Sequence, residues 1–120
     1  MILYVVYLYK QKHNNMKKYE KIEGTENKYL KFEVFYEKGG MNYFNGQTDK
    51  RGYYGSVRVV ERKDEGRGYI SESFMMFSGT KVLLLEVGRK SDKKYQESIE
   101  LFKDYEQRLK EHVLQKEVLS

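Results

Sequence analysis

Cations and tyrosines are interleaved between positions 51 and 69: Arg51, Tyr53, Tyr54, Arg58, Arg62, Lys63, Arg67 and Tyr69. On neighbouring strands, residues of these types present ring faces flanked by positive charge, the chemistry by which proteins hold single-stranded DNA or RNA. A base stacked on an exposed ring contributes about 1–3 kcal/mol, and the cations neutralise phosphates. The pattern predicts a nucleic-acid surface in which Tyr53, Tyr54 and Arg58 matter. Tyrosine is also a common half-buried strand residue whose cross-strand pairs stabilise any sheet, so the same residues fit a structural role.

Other chemistries lack parts. There is no cysteine, and the two histidines are His13, in the first fifteen residues, and His112, beside the apolar stripe of a helical segment. The usual zinc sites and the Ser-His or Cys-His nucleophile systems therefore have no ligands or base. Asp49 followed by Glu61-Arg62-Lys63 loosely matches the acid, acid and lysine arrangement of magnesium nucleases, but eighteen acids produce such a spacing by chance. Gly39-Gly40, Gly52-x-x-Gly55 and Gly66-x-Gly68 fit neither the phosphate-loop nor the dinucleotide spacing and read as turns. A non-enzymatic protein with no catalytic residue, metal or cofactor is the expectation.

At 120 residues the chain has room for one small domain. Charged residues reach 34% against 39% hydrophobic, yet twelve Tyr and six Phe supply enough apolar area for a core and argue against disorder. Ala, Pro and Trp are missing while Lys, Tyr and Asn abound, a bias that points to an AT-rich genome, a low-GC bacterium or a phage. The net charge of +5 lies entirely in the first half: residues 1–69 hold 14 Lys and Arg against 9 Asp and Glu, and residues 70–120 hold nine of each. A polyanionic partner is permitted by this, and interspersed signs also describe an ordinary solvated surface.

The opening MILYVVYLY is apolar but only nine residues long, roughly half a bilayer span, with no basic region before it and no small-residue cleavage site after it. No membrane partner and a cytoplasmic location are expected. Residues 1–15 are expected to lie upstream of a natural start at Met16; the alternative is a short edge strand. Residues 1–28 then form a polar leader and 29–120 a single α+β domain.

From Tyr29 the pattern alternates: Leu30, Phe32, Val34 and Tyr36 share a face opposite Lys31, Glu33 and Glu37, a half-buried strand ended by Gly39-Gly40. Tyr43 and Phe44, in the following loop, fold over the core or form a contact surface, and the core is the favoured reading. Tyr53–Arg62 reads as a second strand, with Tyr53 and Tyr54 on opposite faces, and Asp64–Gly68 as a turn. Tyr69–Phe77 reads as the returning strand. Ser78-Gly79 then reads as a hairpin turn before a fourth strand over 82–87, or Ser78 or Thr80 caps a short helix stopped by Gly88; the flanking valines favour the strand. The last segment is helical: Ser91 or Asp92 caps it, and Tyr95, Ile99, Phe102, Leu109 and Val113 recur on one stripe. That stripe lies across the sheet or pairs with a second copy.

The fold class is α+β, an antiparallel meander of three to four strands with a long C-terminal amphipathic helix. This layout resembles that of the Whirly-type and Pur-type single-strand binders, in topology and without a shared motif. The functional expectation is a small binding module for single-stranded DNA or RNA. The alternative is a phage or mobile-element accessory protein acting on a protein partner, or as a homodimer, through the helix stripe and Met75, Met76 and Phe77.

Overall fold

The computed structural model describes residues 16–41, 46 and 48–119, with residues 74–78 and 117–119 described as backbone. The elements are β1 (Met16–Lys21), β2 (Lys28–Glu37), β3 (Gly40–Met41), β4 (Thr48–Asp49), β5 (Gly52–Asp64), β6 (Ile70–Glu86) and α1 (Asp92–Leu119). Four strands form one antiparallel sheet in the order β1-β2-β5-β6, and β3 pairs with β4 as a short hairpin between β2 and β5. The chain is an α+β meander closed by one long helix.

The alternation that makes β2 a strand also decides its burial. Leu30, Phe32 and Val34 stand opposite Val59, Val57 and Gly55 of β5, and these five apolar side chains are at most 1% exposed. Each such side chain contributes about 1.5–3 kcal/mol relative to an exposed one. The helix covers this face, lying over β5 and β6 and touching β2. Its stripe supplies Phe102 and Val113, both 1% exposed, with Tyr95, Ile99, Tyr105 and Leu109 packed around them. Tyr95, Ile99, Phe102, Leu109 and Val113 thus lie on the sheet of their own chain.

Gly55 lets the helix come this close. A Cβ at that position would stand 2.4 Å from Phe102 Cδ1 and 2.6 Å from its Cε1, so the ring occupies the space that any other residue would fill. Ser98 is fully buried one turn earlier and disposes of its hydroxyl by donating to the Lys94 carbonyl at 2.8 Å. At the helix start the Ser91 Oγ accepts from the Lys94 N–H at 3.2 Å, an N-cap.

Two segments depart from the expectation. The polar stretch after Met16 is β1, an edge strand. Its inward positions are Met16, which packs on the core, and Lys18 and Glu20, which reach Glu106 and Lys110 of the helix. Lys18 also lies 4.7 Å from the centre of the Phe32 ring. Charge paired to the helix does here what apolar burial does in β2, and hydrophobic alternation cannot reveal it. Residues 78–79 are not a turn, for β6 runs unbroken from Ile70 to Glu86. Gly79 sits opposite Arg58, where a Cβ would come 2.6 Å from the Arg58 Cβ, and the register shifts between Arg58 and Val60. Gly79 serves a close strand approach beside an irregularity. Residues 1–15, Tyr43, Phe44 and the side chains of Met75, Met76 and Phe77 lie outside the described residues.

Candidate functional site

The tyrosine–cation residues are strung along β5 and its turn, so extended geometry separates them. From Arg51 to Arg62 is eleven residues, about 36 Å of strand at ~3.3 Å each. They divide into two ends and a middle.

In the middle, Tyr53 and Tyr54 point to opposite faces and are 4% and 6% exposed. Tyr53 packs edge-on to Tyr36 at 5.3 Å and beside Tyr95 at 5.9 Å. Its hydroxyl donates to the Ser91 carbonyl and accepts from the Ser91 N–H, both at 3.0 Å, which fixes the start of the helix. Tyr54 stacks on Phe35, lies 4.8 Å beneath the Lys81 ammonium and donates to the Lys50 carbonyl at 2.6 Å. Burial, with Asp49 and Glu37 adding to it, raises its phenol above the ordinary value. Neither ring has a face to offer a base. Arg58 is exposed on the sheet face away from the helix.

At the far end Arg62 belongs to a four-strand network. Glu72 of β6 accepts from the Tyr19 hydroxyl of β1 at 2.6 Å and from Lys31 of β2 at 2.8 Å, and Arg62 of β5 lies 3.4 Å from it. The Arg62 guanidinium sits 4.0 Å over the Tyr19 ring. Burial alone would push the Glu72 carboxyl up, but the hydrogen bonds from Lys31 and Tyr19 and the charges of Lys31 and Arg62 outweigh it and hold it low. Burial, together with Glu72, drives the Tyr19 phenol far above its ordinary value. The charge of Arg62 is therefore balanced inside the sheet. Lys63 pairs with Glu61 at 3.5 Å, while Arg67 and Tyr69 are exposed in and beside the β5–β6 turn.

The near end is different. Arg51 donates from Nε to the Lys38 carbonyl at 3.0 Å and from Nη1 to the Gly88 carbonyl at 3.1 Å, while its own carbonyl accepts from the Val87 N–H at 3.2 Å. These bonds draw the segment after β2 and the β6–α1 link to one place. The result is an open cleft of about 470 Å³ lined by Tyr36, Lys38, Arg51, Gly88, Arg89 and Lys90. Four of the six lining residues are cations and none is an acid. The Lys90 ammonium lies 5.8 Å from the centre of the Tyr36 ring. Among the described residues no carboxylate pairs with Lys38, Arg51, Arg89 or Lys90. Tyr53, by holding Ser91, helps to set where Arg89 and Lys90 stand.

Of the residues the sequence offered as a binding site, only Arg51 lines this cleft. Tyr36, Lys38, Arg89 and Lys90 were missed, since nothing local joins position 38 to position 90. The available signal was the basic run Arg89-Lys90, Lys93-Lys94 around the helix cap, set in a half of the chain whose net charge is zero. The acids of the nuclease-like spacing are engaged elsewhere: Asp49 shares Lys81 with Glu37, and Glu61 pairs with Lys63. No group of three His, Cys, Asp or Glu that could hold a metal occurs among the described residues, and His112 is exposed on the helix. No helix among them is long and apolar enough to cross a membrane.

Comparison with known proteins finds no matching family model, no matching curated protein and no matching solved structure.

Proposed function

We propose that this protein is a small non-enzymatic binding module for single-stranded nucleic acid, and that the strand engages the cationic cleft rather than the open sheet face. The observation that carries this reading is the meeting of Lys38, Arg51, Arg89 and Lys90 around Tyr36 with no carboxylate in the lining. Phosphate contacts dominate nucleic-acid affinity, and cations not already paired are the ones able to release counterions. Fluorescence anisotropy with labelled DNA and RNA oligonucleotides tests it. Binding at low salt is expected, weakening with a log–log slope of about −0.7 for each phosphate neutralised. The double variant Arg89→Ala, Lys90→Ala, at exposed positions, is expected to weaken binding roughly tenfold or more, uniformly across sequences, and to flatten the salt slope. Absence of binding by the unaltered protein at low salt overturns the reading.

One observation favours a second reading, an accessory protein acting through protein contact or self-association. Tyr69 and Ile70 are 57% and 47% exposed at the end of the β5–β6 hairpin, two adjacent large apolar side chains open to solvent. Light scattering over a concentration series tests self-association. A mass above 14.4 kDa that Tyr69→Ser, Ile70→Ser returns to the monomer supports the homodimer. A monomer throughout removes it.

A further inference from the structure

We infer that the cleft is built for a terminal phosphomonoester, the phosphorylated end of a strand, rather than for the backbone of a strand passing through; this rests on the nucleic-acid reading above. Three observations lead there. Arg51 is held by backbone carbonyls, not by a carboxylate, so its position is fixed while its charge is left whole. Two of the five guanidinium N–H groups are used in those bonds, leaving three on a planar fork already oriented, the arrangement suited to phosphate oxygens. A pre-positioned donor also spares the ligand the entropy of ordering it.

The second observation is charge density. Four cations line a volume of about 470 Å³. An internal phosphodiester carries a single charge, whereas a phosphomonoester carries about −1.5 to −2 near neutral pH and offers three terminal oxygens. The dianion is the better match for Arg51 flanked by Lys38, Arg89 and Lys90. The third is size. The volume lies in the range of roughly 300–1,000 Å³ typical of sites that take one small ligand. Arg51 spans from the Lys38 carbonyl to the Gly88 carbonyl within the lining, and Tyr36 is its one aromatic residue.

The test compares one oligonucleotide sequence with a 5′-phosphate, a 3′-phosphate or hydroxyls at both ends, each labelled away from the tested end, at constant ionic strength. A phosphorylated end is expected to bind roughly tenfold tighter than the hydroxyl strand, the difference charge-assisted donors make. Arg51→Lys keeps the charge and loses the fork, and it is expected to abolish this preference, the phosphorylated strands losing more affinity than the hydroxyl strand. Arg89→Ala, Lys90→Ala provides a second variant that does not touch the bonds made by Arg51. Equal affinity for all three strands overturns the inference and leaves the nucleic-acid reading standing. If no oligonucleotide binds, that reading falls, and titration with a nucleoside 5′-monophosphate and with inorganic phosphate decides the cleft alone. Saturable shifts of the Gly88, Arg89 and Lys90 amides in NMR spectra then support a phosphomonoester site, and unmoved amides overturn it.

Discussion

Glu72 accepts from Tyr19 and Lys31 and lies 3.4 Å from Arg62, so one carboxylate gathers a side chain from each of the other three strands of the sheet. Because its folded pKa is depressed, it adds stability above the ordinary carboxylate range and loses it as pH falls through the folded value. Urea midpoints between pH 7 and pH 3 are expected to fall on the acid side. Glu72→Gln should cost about 1 kcal/mol at neutral pH and flatten part of that fall. Lys81 has the opposite sign. Burial would lower its pKa, but Glu37 and Asp49 raise it, so its contribution holds through neutral pH and is lost only as pH rises through the elevated value. Gly55 is a test of contact rather than charge. Gly55→Ala places a methyl against the Phe102 ring and is expected to cost about 1–3 kcal/mol in urea unfolding, with Phe102→Leu in the same chain recovering part of the loss. The cations of the cleft are residue-scale features that the sequence could not join: Lys38 and Lys90 become neighbours because β5 pairs with the ends of both β2 and β6 and Arg51 bonds to both loops.

Among the elements, those with a hydrophobic rhythm were legible and those without one were not. Leu30, Phe32 and Val34 announced β2, and the spacing from Tyr95 to Val113 announced the helix, because apolar burial is what both elements use. The β1 segment carries no such rhythm, since Lys18 and Glu20 face the helix and are satisfied by Glu106 and Lys110. The continuity of β6 was hidden for another reason: a serine–glycine pair signals a turn, but here the glycine answers the backbone of Arg58. Phe102→Ala should cost about 3–5 kcal/mol, measured by thermal or urea unfolding, since the ring is 1% exposed in the closest-packed part of the helix interface.

For the whole molecule, the sheet order predicts unequal local stability. β5 is flanked by β2 and β6 and covered by the helix, whereas β1 is an edge strand held by β2, by two ion pairs to the helix and by the Tyr19–Glu72 bond. Hydrogen exchange is expected to be slowest in β5 between Tyr53 and Val60, and faster in β1 and around Gly66. Exchange in β1 as slow as in β5 would contradict this. Every strand of the four-stranded sheet pairs with the one that precedes it among them, so the sheet zips up from hairpins. The element that completes the core comes last. While the chain is being made, Leu30, Phe32, Val34, Val57 and Val59 leave the ribosome before Phe102 and Val113 do, so nothing covers them until the helix follows. The apolar side of the meander is then an adhesive surface for the time taken to translate the helix. A nascent chain released from the ribosome only as far as the end of β6 would display a paired sheet with its greasy side open, a form suited to chaperone capture or aggregation.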